Sequence, residues 1–88
     1  MEDDRISKIR EEVQKEIQKS IEEIDEIGGY FFSQAEEYEK LGSYSDARMC
    51  YQSALVAYDD LSRDPSLSEE KREYYSSLSS ICKKKMYR

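Results

Sequence analysis

Ala35-Glu36-Glu37-Tyr38-Glu39-Lys40-Leu41-Gly42-Ser43-Tyr44-Ser45-Asp46-Ala47-Arg48-Met49-Cys50-Tyr51-Gln52-Ser53-Ala54 is the stretch that decides the fold. Small residues at 35, 47 and 54 alternate with large aromatics at 38, 44 and 51, and Tyr58 continues the series. Small residues let two helix backbones approach, and the tyrosines fill the space beside them. The stretch therefore predicts a tightly packed antiparallel helical hairpin. Gly42 suits the residue just past a helix C-terminus, where a left-handed backbone is wanted. Ser43 or Ser45 then opens the next helix, and Ser43 with Asp46 is a shortened capping box.

The helix predicted over 44–61 has a broad apolar face made of Ala47, Cys50, Tyr51, Ala54, Tyr58 and Leu61. Met49, Leu55 and Val56 widen it at the flanks, as suits a central helix touched on two sides. Residues 62–67 read as a loop, because Pro65 disfavours a helical Asp64. Ser68 followed by Glu69 and Glu70 is an N-cap with acids in the first turn. The last helix runs to about Met86, with Tyr74, Leu78, Ile81 and Cys82 facing inward and Tyr75 and Met86 beside them.

Upstream of the hairpin, Ile6, Ile9, Val13, Ile17, Ile21, Ile24 and Ile27 step by 3, 4, 4, 4, 3 and 3. This is the seam of a coiled coil or of a straight bundle helix, predicted over residues 3–27. Lys8–Glu12, Glu11–Lys15 and Lys19–Glu23 support it at i,i+4 on the polar side. So narrow a stripe has to be covered, by the rest of the chain or by a second copy. Gly28-Gly29 would cost roughly 1–2 kcal/mol inside a helix relative to alanine, which predicts a break, a kink or a left-handed helix end there. Close backbone approach within one long helix is the lesser expectation. A short second helix over 30–41 then places Phe31, Ala35 and Tyr38 on one face.

The fold class is all-α, an antiparallel up-down bundle of about four helices in one folded domain. Residues 1–27 form an amphipathic N-terminal helix, serving as a bundle or dimer interface, and 28–88 a three-helix unit. With 88 residues, 38% hydrophobic and 39% charged, the chain has enough apolar material for one core and little to spare.

The formal charge of −6 argues against phosphate-backbone partners, so nucleic acid is not expected. The basic end at Lys83-Lys84-Lys85 complements a helix dipole. The apolar runs are too short to span a bilayer, and the acidic start lacks a signal peptide's core, so a cytoplasmic protein without membrane insertion is expected. Cys50 and Cys82 are expected as reduced, buried small hydrophobes. With no histidine the chain lacks the default general base, and its carboxylates stand at consecutive, mostly solvent-facing positions. No catalytic, cofactor-binding or metal-ligating residues are assigned, and an enzyme is not expected. Tyr38, Tyr51 and Tyr58 are read as core.

Phe31 to Pro65 resembles a tetratricopeptide-type hairpin, carried by Ala35, Tyr38, Gly42, Tyr44, Ala47, Tyr51, Ala54 and Pro65. With one further helix the unit looks like the three-helix microtubule-interacting-and-trafficking (MIT) type of domain over residues 28–87. Ala47, Cys50, Ala54 and Asp59 are also similar to a family of short archaeal helical proteins of unassigned function. The first two likenesses imply a non-enzymatic module that binds a helical or extended peptide in a groove between helices. Met49, Val56, Tyr75 and Leu78 are the candidate groove residues, and the acidic body favours a basic or amphipathic ligand. The rival expectation is a homo-oligomeric structural protein, a homodimer in its simplest form, assembled through the Ile/Val seam.

Overall fold

A computed structural model describes the backbone of residues 2–87 and the side chains of 4–87. Within them the protein is all-helical, with no strand. Three helices follow one another: α1, Glu2–Lys40; α2, Tyr44–Ser62; and α3, Glu69–Met86. The principal extents are 62 × 20 × 13 Å. At about 1.5 Å of rise per residue, the 39 residues of α1 account for nearly all of the long dimension.

Three helices stand where about four were predicted, because the chain does not break at Gly28-Gly29. Neither glycine has a positive φ, and α1 runs through both. The reason is steric. A Cβ on residue 28 would lie 2.8 Å from Cε1 of Tyr58, 3.0 Å from its Cζ and 3.2 Å from its Cδ1. Gly28 is the gap in α1 that admits the Tyr58 ring, so its helix-propensity cost is offset by close packing of α1 on α2. The boundary predicted at 27/28 therefore falls inside one helix.

The turn after α1 follows the sequence closely. Gly42 has φ +76°, the Ser43 amide donates to the Tyr38 carbonyl at 2.9 Å, and the Gly42 amide donates to Glu39 at 3.0 Å. Those two bonds form a Schellman motif. Ser43 departs from the capping-box expectation: its hydroxyl donates to the Asp46 carboxylate at 2.6 Å and caps no backbone amide. Ser68 does act as an N-cap, accepting from the Lys71 amide at 3.2 Å.

α2 lies in the middle and packs on both neighbours. Its buried residues are Ala47, Tyr51, Ala54, Ala57, Tyr58 and Leu61, with Cys50 and Leu55 half-buried. α1 contributes Ile21 and Ala35 to the core, flanked by Ile24, Phe31, Phe32 and Tyr38. On α3 the expected Leu78 and Cys82 pack inward, with Tyr75 and Met86 beside them, but the buried face excludes Tyr74 and Ile81. Tyr74 and Ile81 are exposed, whereas Tyr75, Ser79, Cys82 and Met86, spaced 4, 3 and 4, point inward. The Tyr75 ring stacks on Tyr58 at 6.1 Å and 20°, which holds Tyr75 on that face. Leu67, from the loop, closes the end of the core.

The two glycines should answer alanine substitution in opposite directions. At position 29 a Cβ meets only the Tyr58 hydroxyl oxygen at 4.0 Å. Gly29→Ala should stabilise the fold by about 0.5–1 kcal/mol. Gly28→Ala should destabilise it by about 1–3 kcal/mol through overpacking against a ring that Tyr75 holds in place. Urea unfolding of the two variants beside the parent chain checks the sign of each.

Candidate interaction surface

α1 is about twice as long as α2, and this mismatch creates the most conspicuous surface feature. The hairpin covers α1 from Ile21 onward. Along residues 4–20 every side chain is exposed. The seam runs through this arm: Ile6 is 47% exposed, Ile9 60%, Val13 51% and Ile17 39%, whereas Ile21 is 7% exposed. Ile24 is half-buried and Ile27 is exposed beside it. Ile6, Ile9, Val13, Ile17, Ile24, Gly28, Phe31 and Ala35 lie on one helical face. The uncovered stripe is thus a straight continuation of the face that packs on α2.

Where the arm meets the body there is an open groove of about 660 Å³. Val13, Ile17, Ser20, Ile21 and Ile24 form one wall, and Asp64, Pro65 and Ser66 form the other. The loop that makes this second wall is internally braced. The Asp64 carboxylate accepts from the Ser66 amide at 2.9 Å and from its hydroxyl at 2.6 Å. Those bonds hold the Asp64 carboxyl below the usual carboxylate range.

Arm charges are balanced in an otherwise acidic protein. Residues 4–19 carry five bases and four acids, whereas 20–40 carry one base and seven acids. Among the described residues, the ion pairs closed within 4 Å are Lys40–Glu37 and Arg63–Asp59. The i,i+4 pairs expected on the arm are open, which leaves their side chains in water.

The four residues predicted to share a peptide groove are not brought together. Met49 faces solvent from α2. Val56 lines a groove between α1 and α2 with Ile24, Ile27, Ser53 and Ala57. Tyr75 and Leu78 pack against the core from α3. The two flanks of α2 serve different neighbours, α1 on one side and α3 on the other, so these four residues do not converge.

One arrangement escaped sequence reading. Lys85, expected only to complement the α3 dipole, donates from Nζ to the Tyr51 hydroxyl at 3.1 Å. It also lies 5.4 Å from the Phe32 ring centroid and 5.3 Å from that of Tyr51. Phe32 meets Tyr51 edge-to-face at 5.5 Å. This cation–aromatic cluster ties α3 to α1 across α2. Burial raises the Tyr51 hydroxyl's pKa, with the Glu39 carboxylate adding to it. Burial and then Asp25 raise Tyr58, to about 12, and Tyr75 in the same direction. Burial also pushes the Cys82 thiol up to about 11.

Both cysteines are free thiols, Cys82 buried and Cys50 half-buried. Among the described residues no group of three or more His, Cys, Asp or Glu side chains is placed to hold a metal ion. Nor is any helix among them long and apolar enough to cross a membrane. No protein-family model matches the chain, and neither a curated protein nor a solved structure matches it.

The raised groups set the alkaline limit of stability. Cys82 and Tyr58 are neutral in the fold with pKa values above the ordinary 9.0 and 10.0, so the folded state holds their protons more tightly. Their contribution is complete below about pH 9 and is lost as pH rises through about 11 and 12. Unfolding free energy should stay level from pH 7 to 9 and fall above it. In Tyr58→Phe the fall between pH 10 and 12 should be shallower, which parallel denaturant titrations would reveal.

Proposed function

We propose that the chain is a non-enzymatic interaction protein that works by helix pairing, its binding surface being the uncovered Ile/Val stripe of α1. The observation that carries this reading is the row Ile6, Ile9, Val13 and Ile17, half-exposed in line on a helical arm without tertiary support. An isolated helix of roughly this length is marginal in water, and β-branched residues lower its propensity further. A contiguous apolar stripe between charged faces is the usual mark of a helix-binding surface. Full burial of an Ile or Val side chain contributes about 1.5–3 kcal/mol. Burying these four on each of two helices favours pairing, which must also offset the cost of association.

The resemblance to tetratricopeptide-type and MIT-type hairpins supports a binding role for the body as well. There an open α1–α2 groove at Ile24, Ile27, Val56 and Ala57 offers an apolar peptide seat. Its border carries Asp59, paired with Arg63 at 3.0 Å, and Asp60, which suits a basic amphipathic segment. The arm remains the stronger reading, because its apolar row is longer and has no cover of its own.

Hydrogen exchange on the full chain tests the arm directly. In the paired state, amides of residues 6–20 should exchange on the order of 100-fold more slowly than in the Ile9→Asp, Val13→Asp double variant, each tenfold being about 1.4 kcal/mol. Protection over 44–61 should be the same in both. Arm amides that exchange equally fast in parent and variant up to millimolar concentration would remove the pairing surface.

A further inference from the structure

The helix-pairing reading leaves open what lies on the stripe, and in which direction. Four features of the molecule select one answer. The first is steric. The exposed stripe and the stripe covered by α2 are one straight face, so a partner helix can lie along the arm only as far as Ile21. If that helix were a second α1 running parallel, its own α2 would compete for the same gap. Two parallel copies would have to splay apart just where the arms end. Antiparallel copies put their hairpin bodies at opposite ends of the pair, so the two α2 helices do not compete.

The second feature is the spacing of the stripe. Ile9, Val13 and Ile17 step by 4 and 4, so the centre of the exposed stripe reads the same in both directions about Val13. In an antiparallel pair with its two-fold axis at Val13, Ile9 of each copy faces Ile17 of the other, and Val13 meets Val13. Ile6 faces Ser20, at the mouth of the groove whose far wall is Pro65. An overlap of residues 4–22 is about 27 Å long at the α-helical rise.

The third feature is charge. The arm is nearly neutral within a chain of net charge −6, so two arms meet without the repulsion that two bodies would feel. On the acid-bearing edge the pairings are mixed: Arg5 falls between Lys19 and Glu23 of the other copy, Lys8 falls near Glu16, and Glu12 falls near its own counterpart and Glu16, so attraction and repulsion largely offset. The other edge is lined by Ser7, Gln14 and Gln18 with Arg10, and presents no acid that could repel its symmetry mate. The fourth is composition: the arm stripe is purely aliphatic and β-branched, which packs as a knobs-into-holes layer.

We infer that the occupant of the stripe is a second copy of this chain, paired antiparallel through residues 4–22 with its two-fold axis at Val13. The pair is an elongated dimer with one three-helix body at each end. It carries two copies of every body surface, including the Val56 groove.

Light scattering combined with pairwise crosslinking tests this. In a Cys50→Ser background, which removes the half-buried thiol and leaves the buried Cys82 in place, Ile6→Cys and Ser20→Cys chains are made separately. Each is oxidised alone and then as an equimolar mixture. The expected result is a mass of twice the 10.4 kDa chain for the parent protein, and a disulfide-linked product at least fivefold more abundant in the mixture than in either chain alone. A dimer in which each chain links to itself would overturn the antiparallel arrangement while leaving the pairing surface standing. A dimer that survives Ile9→Asp with Val13→Asp would overturn both, as would a monomer at every concentration. A trimer or tetramer would overturn the two-copy assignment alone.

Discussion

The contact between the Tyr58 ring and the bare backbone of Gly28 governs the architecture. With any side chain at 28 the ring would be displaced, and α1 could not lie so close to α2. Because this glycine is used for packing, the helix stays continuous through a Gly-Gly pair that would ordinarily interrupt it. Continuity is what carries the apolar face out beyond the hairpin. A kink at 28 would have folded the first 27 residues back as a separate bundle helix, and the Ile/Val stripe would be covered from within. Tyr58 therefore determines at a distance that the stripe is open.

Much of this was legible in the residues. The Gly42 corner, the Ser68 cap, the loop at Pro65 and the central place of α2 all rest on local rules with few alternatives, and they hold in the structure. The Gly28 error has a specific cause. Glycine propensity is a local cost, while the gain that outweighs it comes from a ring thirty positions away, invisible until the two helices are docked. The exclusion of Tyr74 from the buried face of α3 has a similar origin. Tyr74 and Tyr75 are adjacent and chemically equal, and only the Tyr58 ring distinguishes them. Of the candidate sites, the seam could be read from periodicity because it needs one helix only. The four-residue groove could not, since it required knowing which flank of α2 met which neighbour.

The two parts of the molecule differ in their aromatic content. The body sets Tyr38, Tyr51, Tyr58, Tyr75, Phe31 and Phe32 among alanines, leucines and Cys82, with rings meeting edge-to-face or stacked. Such contacts are directional and fix one geometry. Tyr hydroxyls extend this rigidity, as where Lys85 bonds Tyr51 and spans two rings. The arm contains no aromatic residue between 4 and 20, only isoleucine and valine at helical spacing. Side chains stiff at χ1 lose little freedom on docking, so a stripe of them associates at small entropic cost while making few directional demands.

That difference matters because the two parts have different sources of stability. The body holds its own core, whereas the arm's helix has no internal support beyond backbone bonds and a few open charge pairs. Pairing would make arm helicity and association one equilibrium, so the ordered length of α1 would depend on protein concentration while the body would not. The braced turn at Asp64–Ser66 stands where this equilibrium meets the fixed core, beside Ile21 and Ile24. An arm helix arriving from another copy would bring Ile6 to the groove that this turn walls. The hairpin's second loop would thus serve the body as a closure, through Leu67, and the proposed pair as a wall of its seat, through Pro65.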